Sequence, residues 1–407
     1  MRRLRLLGMI MAGGKGERLF PLTKSRSKPA VPFAGKHRIV DFVLSNFINS
    51  GIFSVYILVQ YKSQSLIEHL RSTWRWRIGG GLKETFITVV PPQMRWGEDW
   101  YQGTADAVYQ NLNLIQDFRP DLIAVFGADH IYRMDLNQMV AFHLEHAAEA
   151  TVAALPVPVS EAGSFGVIEV DQKRRIIGFE EKPSHPKPMP GDSDRVYASM
   201  GNYVFNTDLL VRTLLEDSRR STEHDFGRTI IPELFPRQQV LAYDFLENEI
   251  PGVKPGEERA YWRDVGTLRA YWEAHMDLLG ETPAFDLHNP HWPVFGTIYD
   301  GPPTRFYGGE VRDTLVGEGS QLEGGRIVRS VIGSGVRIGK GAEIEESIIM
   351  DRAEIGAGVK LKGAIVDRFH SVPAGAVIGG GTGTDERRYF RDPSGLVVLE
   401  RGETRPL

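Results

Sequence analysis

The segment that follows the first apolar run of the chain combines glycine with positive charge. Residues 11–31 read MAGGKGERLFPLTKSRSKPAV, in which five cationic side chains accompany a single acid. Glycine lets backbone N–H groups approach a phosphate closely, and Arg18 and Lys28 can neutralise its charge. The segment lacks the GxxxxGK[ST] of a Walker loop, and Leu19 stands where GxGxxG needs its third glycine. The loop suits a nucleoside triphosphate, and a glycine turn with solvated lysines is the alternative for the loop alone.

Three further motifs offer side chains that can meet phosphates or a metal ion. Asp129 in GADHIY stands at the carboxyl end of an apolar run, and Asp264 lies in the aromatic-flanked YWRDVGT. Glu181 and Lys182 end the run in GFEEKP. Taken singly, Asp129 also suits a helix cap or a metal ligand, and Asp264 suits a turn. Glu181 and Lys182 also suit a surface ion pair. Together with WYQGTADAV and ASMGNYVF, they make those separate structural interpretations hard to maintain.

Regular elements are needed to bring these motifs together, and the first two thirds of the chain predicts them. From Leu6 to about Leu279, short apolar runs alternate with longer amphipathic stretches. The predicted strands are 6–11, 54–60, 121–129 and 151–159, several of them apolar on both faces as central parallel strands are. RIVDFVLSNFINSG is a predicted helix that stops at Gly51. This alternation is typical of an open, mostly parallel α/β sheet, whose ligands lie beyond the carboxyl ends of the strands.

The last quarter of the chain has a different periodicity. Large apolar residues recur at steps of six, with a step of five closing most seventeen-residue coils: Val316, Leu322, Ile327, Ile332, Ile338, Ile344, Ile349, Ile355, Leu361, Val366, Val372 and Ile378. Such a strict step predicts a hexapeptide-repeat parallel β-helix. A proline-rich stretch without periodicity precedes it. We therefore divide the chain into a catalytic domain (1–279), a linker (280–309) and a β-helix domain with a C-terminal tail (310–407).

Composition limits the classes of function. The chain has 407 residues, a formal net charge of −4 and no cysteine. The charge argues against wholesale nucleic-acid binding, and no apolar run is long enough to predict a membrane span. The absence of thiols excludes a disulfide framework and accords with a cytoplasmic location. His37, His69, His130 and His224 lack metal-ligand spacing and are predicted to pack or cap.

With these motifs in place, nearly the whole chain resembles the bacterial ADP-glucose pyrophosphorylases, also called glucose-1-phosphate adenylyltransferases. The GGxGxRL signature is shared by sugar nucleotidyltransferases generally. The resemblance to the adenylyl branch rests on SKPAVPFAGKHRIVDF, WYQGTADAV, GADHIY, SMGNYVF, HDFG and YWRDVGT in this order. One departure is Ala128, where many relatives have glycine. The resemblance implies a Rossmann-like nucleotidyltransferase domain followed by a left-handed parallel β-helix.

The resemblance also implies a role for each matching residue. ATP would be bound by Ala12, Gly13, Gly14, Gly16, Arg18, Lys28, Gly103 and Thr104. Glucose 1-phosphate would be bound by Tyr101, Gly166, Glu181, Lys182 and Ser199, with Lys182 on its phosphate and Glu181 on sugar hydroxyls. Asp129 and Asp264 would hold Mg²⁺, and Arg18, Lys28, Asp129 and Asp264 would form the catalytic set. A phosphate oxygen of the sugar would attack the α-phosphorus of ATP, and no general base is needed because a phosphomonoester with a second pKa of about 6 is already mostly dianionic.

The same resemblance implies a regulated homotetramer that makes ADP-glucose for glycogen-type α-glucan synthesis. A sugar phosphate or similar effector would bind between the two domains, and Lys24, Arg26, Arg38, Gln60 and Trp100 are the candidate regulatory residues. Two alternatives stay open. One is a related enzyme that uses another nucleoside triphosphate, since residue spacing does not separate adenine from uracil. The other is a catalytically silent regulatory subunit, against which the retention of all four catalytic residues argues.

Overall fold

The computed structural model describes residues 4–74, 85–93, 100–381 and 388–403. The helices are α1 (Ile39–Asn49), α2 (Gln64–Thr73), α3 (Thr104–Tyr109), α4 (Leu112–Phe118), α5 (Leu136–Glu145), α6 (Thr207–Asp217), α7 (Ile231–Leu234) and α8 (Leu268–Met276). All of them belong to the N-terminal part of the chain. Within the described ranges, none has the length and apolar character that crossing a bilayer requires.

The N-terminal domain is built on one sheet. Its strands, with the short pairs beside it, are β1 (Leu6–Met11), β2 (Pro32–Phe33), β3 (His37–Arg38), β4 (Ser54–Leu58), β5 (Phe86–Val90), β6 (Leu122–Gly127), β7 (His130–Tyr132), β8 (Ala150–Pro158), β9 (Gly166–Val170), β10 (Ile176–Glu181), β11 (Arg195–Asn206), β12 (Val240–Asp244) and β13 (Trp262–Asp264). The order β10-β9-β11-β6-β1-β4-β5 forms the main path, and β8 joins β11 to β12. Most strands run one way, with β11 and β10 reversed, so the mostly parallel sheet is confirmed.

The predicted elements match those of the structure closely. The four predicted strands are β1, β4, β6 and β8, and the predicted helix is α1, whose end is followed by Gly51 at φ 73°. Helix α1 packs tightly on β1, because a Cβ on Gly8 would lie 2.5 Å from the ring of Phe47. Phe47 is fully buried, which stabilises the packing by about 2–3 kcal/mol.

Strand β11 is one of the elements that the sequence analysis did not assign. It lies between β6 and β8 and is antiparallel to both. Its pairing with β8 is interrupted between Ser199 and Tyr203, where Gly201 has φ 70°. This irregularity divides the apolar pattern and leaves Ser199 at the point where the strand bends.

The C-terminal domain is a parallel β-helix, as predicted. Its strands are β14 (Arg305–Phe306), β15 (Glu310–Val316), β16 (Gln321–Leu322), β17 (Gly325–Ile332), β18 (Arg337–Ile338), β19 (Ala342–Glu345), β20 (Ile348–Ile349), β21 (Glu354–Ile355), β22 (Lys360–Lys362), β23 (Ala364–Val366), β24 (Ser371–Val372), β25 (Val377–Gly379), β26 (Phe390–Arg391) and β27 (Val397–Leu399). Ile338, Ile355 and Val372 stack in register at the predicted step of seventeen. The last coil departs from this seventeen-residue step, because Val366 pairs with Leu399 and a longer segment of chain separates the two residues.

The two domains share a continuous apolar core. Phe33 and Tyr271 from the first domain lie in one cluster with Val331, Ile348 and Ile365 from the β-helix. The predicted linker contains no helix or strand before β14, but it is not detached. Its Phe285 and Trp292 are buried, so this segment packs against the first domain.

A fully buried histidine lies in this shared core and should make stability depend on pH. His275 donates from Nδ1 to the carbonyl of Tyr271 (2.8 Å) and accepts at Nε2 from the N–H of Ala34 (3.1 Å). These contacts require the neutral ring, and burial lowers the pKa of His275 to about 3. The unfolded chain binds this proton near pH 6.5, so stability is lost as the pH falls below that value. At pH 5 the loss from this group is about 2 kcal/mol.

The measurement is the melting temperature at pH 7 and pH 5. We expect the wild-type protein to lose more stability between these values than the His275→Gln variant, even though that variant is less stable at pH 7. His185→Gln, at an exposed position, serves as the control and should keep the wild-type pH dependence. An identical pH dependence for wild type and His275→Gln would contradict the assignment.

Candidate active site

The carboxyl ends of β1, β4 and β6 surround a cavity of about 690 Å³. The loop after β1 forms one wall, Gln60 after β4 a second, and Asp129 after β6 a third. This is the position that the predicted parallel sheet required for its ligands. We call this space the first cavity.

Backbone geometry explains the glycines of the loop after β1. Gly16 has φ 63°, and a Cβ there would lie 2.9 Å from the Cβ of Lys28. A Cβ on Gly13 would lie 3.2 Å from Gln60, whereas one on Gly14 would meet no atom within 4 Å. The loop is therefore closely packed on its inner side and open to a ligand at Gly14.

Lys28 joins the two candidate catalytic aspartates. Its Nζ donates to Oδ2 of Asp129 at 3.0 Å and to Oδ1 of Asp264 at 2.8 Å. Asp264 reaches this point because β13 pairs with β7, which places it opposite His130. The Nη2 of Arg18 lies 3.7 Å from Oδ2 of Asp264. All four predicted catalytic residues therefore lie together at the carboxyl edge of the sheet, although they come from separate parts of the sequence.

The charges of this cluster stabilise one another. Burial alone would raise the pKa of Asp129, but Lys28 and then His130 hold it well below its usual value. Burial alone would lower the pKa of Lys28, but the two aspartates keep it above its usual value. Lys28 and Asp129 are therefore both ionised at neutral pH.

The donor atoms around Lys28 match those of a divalent-cation site. Ligand atoms of Asp129, His130 and Asp264 all lie within 4.8 Å of one another. Two carboxylates supply the oxygen ligands that Mg²⁺ prefers, and the Lys28 ammonium shows that a cation is stable between them. His130 was expected to pack, and its ring does lie 4.8 Å from that of Trp262. Its Nδ1 is buried without a hydrogen-bond partner among the described residues.

A second cavity of about 820 Å³ adjoins the first. Arg18 and Gly266 line both, and Asp264 and Lys182 line the second. Gly266 allows this close arrangement, because a Cβ there would lie 2.8 Å from Nη2 of Arg18. Lys28 and Asp129 face one cavity and Lys182 the other, so the predicted residues surround two neighbouring spaces rather than a single one.

The predicted sugar-phosphate residues lie in four places. Tyr101 lines the first cavity, and Lys182 lines the second. Gly166 and Glu181 face each other across β9 and β10, and a Cβ on Gly166 would lie 3.0 Å from the Glu181 carboxylate. Ser199 lies at the irregularity of β11. Their roles stay predictions.

Gly103 and Thr104 also line the first cavity. They precede and begin α3, and Thr104 Oγ1 donates to Oδ2 of Asp225 at 2.8 Å. Asp225 itself lines the cavity. The sequence analysis quoted HDFG without assigning Asp225 a role. Asp225 caps the following turn through the N–H groups of Gly227 and Arg228.

The five candidate regulatory residues separate into two groups. Lys24 pairs with Glu400 and Arg26 pairs with Asp367, both contacts between the two domains. Arg38 donates to the carbonyl of Ala30, and burial, with Arg368 nearby, lowers its pKa to about 10.

The other two either line the first cavity or adjoin a residue that lines it. Gln60 is a wall of the first cavity and donates to the carbonyl of Tyr101 at 3.4 Å. Trp100, the neighbour of Tyr101, is 56% exposed. The structure therefore associates Gln60 with the candidate active site, and whether any of the five responds to an effector stays a prediction.

Comparison with known proteins agrees with this architecture. The family model of nucleotidyl transferases matches residues 7–281, and that of the GlmU-like C-terminal hexapeptide region matches residues 302–399. The glucose-1-phosphate adenylyltransferase of Thermodesulfovibrio yellowstonii is 52% identical over 398 residues, which cover 98% of this chain and 96% of the relative. Proteins of the same name from Anaeromyxobacter sp. and Vibrio vulnificus are each 46% identical, with 98% of both chains covered. Because this similarity extends through the cavity-forming domain and the β-helix alike, the chain belongs to the glucose-1-phosphate adenylyltransferase family.

Proposed function

We propose that this chain transfers the adenylyl group of ATP to glucose 1-phosphate and so produces ADP-glucose and pyrophosphate. The observation that carries the proposal is the contact of Lys28 with both Asp129 and Asp264 at the carboxyl edge of the sheet. Arg18 adds a cation on the wall that the two cavities share. A site for two phosphorylated substrates needs this concentration of ionised groups between two adjoining spaces.

The reaction needs positioning more than proton transfer. A phosphate oxygen of glucose 1-phosphate forms a bond to the α-phosphorus of ATP, and the bond from that phosphorus to the bridging oxygen breaks as pyrophosphate leaves. The two substrates repel each other, so the chain must supply positive charge and alignment. In our proposal Arg18 and Lys28 bind the triphosphate in the first cavity, and Lys182 binds the sugar phosphate in the second.

Asp129 and Asp264 are the residues that we propose to hold Mg²⁺. When bound, the ion would offset negative charge on the phosphate oxygens. Lys28 now lies between these two carboxylates, and its flexible side chain allows it to turn toward a triphosphate. His130 offers a nitrogen beside them.

The test is a pyrophosphate-release assay with glucose 1-phosphate and each nucleoside triphosphate in turn. We expect release with ATP, and ADP-glucose as the second product. Release only with UTP or dTTP would identify another sugar nucleotidyltransferase, and no release with any of them would favour a silent subunit. Repeating the assay with a panel of phosphorylated metabolites tests regulation.

Three further proposals accompany this activity. A homotetramer and an anionic effector that binds between the domains follow from the resemblance. Arg38 and Arg368, both largely buried near the domain boundary, support an anion site there. A cytoplasmic location accords with the absence of cysteine and with ADP-glucose as a product for α-glucan synthesis.

A further inference from the structure

We propose that Asp217 and His224 form a positioning pair that holds the Gly103–Thr104 turn in the wall of the first cavity and so sets the affinity for the nucleotide. Neither residue lines that cavity. The inference rests on the proposed function, because it assigns the first cavity to ATP. Three sets of contacts carry it.

The first is the contact of the His224 backbone with the start of α3. Its carbonyl accepts from the N–H groups of Ala105 at 2.8 Å and Asp106 at 3.2 Å. These are N–H groups of the first helical turn, which have no partner within the helix itself. A Cβ on Gly103 would lie 2.2 Å from the same carbonyl oxygen. The His224 carbonyl therefore fixes both the direction of α3 and the path of the chain at Gly103.

The second is the network that keeps His224 in an unfavourable backbone conformation. Its φ is 49°, in a region that costs a non-glycine residue about 1 kcal/mol or more. Its Nδ1 donates to Oδ2 of the buried Asp217 at 2.6 Å. Thr222 Oγ1 donates to the other oxygen of Asp217 at 2.7 Å and accepts from the N–H of His224 at 3.1 Å. Asp217 ends α6, so a rigid element anchors the pair.

The third is the transmission of this position to the cavity. The residue after His224 is Asp225, whose Oδ2 accepts from Thr104 Oγ1, and Thr104 Oγ1 accepts from the N–H of Phe226 at 3.0 Å. Thr104 and Asp225 both line the first cavity. A displaced His224 would move both of these walls of the first cavity. The pair should therefore affect nucleotide binding.

The test compares His224→Ala with His224→Asn. Alanine removes the bond to Asp217, and we expect the KM for ATP to rise about tenfold while kcat changes by less than about threefold. Asparagine tolerates a positive φ and can donate to Asp217, so it should restore the KM for ATP to within about threefold of the wild-type value. An unchanged KM for ATP in His224→Ala, or no rescue by asparagine, would overturn the proposal.

A second variant and a second readout guard against misfolding and against failure of the proposed function. Asp217→Asn keeps the shape of the side chain and should weaken ATP binding in the same direction, while Glu216→Gln removes a neighbouring exposed charge and should leave it unchanged. ATP affinity is measured by titration calorimetry without glucose 1-phosphate, so the result does not depend on turnover. If wild type binds ATP but forms no ADP-glucose, the proposed function fails and the affinities still decide the role of the pair. Unchanged ATP affinity in both His224→Ala and Asp217→Asn, or no ATP binding by the wild-type protein, would overturn the inference.

Discussion

The Asp129→Asn variant is expected to fold normally and to lose about 10²- to 10³-fold in kcat. The substitution removes a charge that faces Lys28 and, in our proposal, a ligand of Mg²⁺. Lys28 keeps its contact with Asp264, and the Asp129 side chain is 39% exposed, so the fold should tolerate the amide. The measurements are kcat from pyrophosphate release and the melting temperature of each protein.

Two further measurements make this result specific. Asp117→Asn, on the exposed side of α4, should behave as wild type in both assays and controls for the loss of an acid. Binding of Mn²⁺ in place of Mg²⁺, followed by electron paramagnetic resonance, should be weaker in Asp129→Asn than in the control variant. Near-normal turnover in Asp129→Asn would refute the assignment of this residue.

The contacts of Lys28 with Asp129 and Asp264 show which parts of the site could be predicted from the sequence. β1 and β6 are apolar on both faces, which predicted neighbouring parallel strands, and the carboxyl ends of such strands lie at one edge of a sheet. That argument places the loop after β1 beside Asp129. It does not place Asp264, because β13 reaches the site by pairing with β7 outside the main sheet. The YWRDVGT motif marked Asp264 as a candidate, but only the family resemblance assigned it to the same site as Asp129.

Gln60 and His224 illustrate two different limits. Gln60 lies just beyond the carboxyl end of β4, so the rule that located Asp129 also predicts a residue at this edge. The structure places Gln60 in the wall of the first cavity. His224 gives no such signal, because its contacts with Gly103 and Asp217 depend on the packing of α3 against α6. The pairing of β27 with β23 could not be predicted from the sequence either, because it follows a break in the seventeen-residue step. Spacing predicts regular repeats but not where an interrupted chain returns.

The Lys182→Ala variant is expected to raise the KM for glucose 1-phosphate about 100-fold, because it removes a charge-assisted hydrogen bond to a dianionic phosphate. The N–H of Lys182 donates to the carbonyl of Phe165 at 2.9 Å, which anchors the residue at the end of β10. Its side chain is half exposed and lines the second cavity. The KM for ATP should change by less than about threefold, because the loop that we assign to the triphosphate lines the other cavity.

Initial rates with each substrate varied in turn provide the measurement. Lys187→Ala is the matched control, since that ammonium is exposed and pairs with Glu169 on the surface. It should leave both KM values unchanged. Comparable increases in both KM values for Lys182→Ala would mean that the two cavities do not bind the substrates separately. A lysine that contacts only the sugar-phosphate space has no contact through which it could weaken ATP binding.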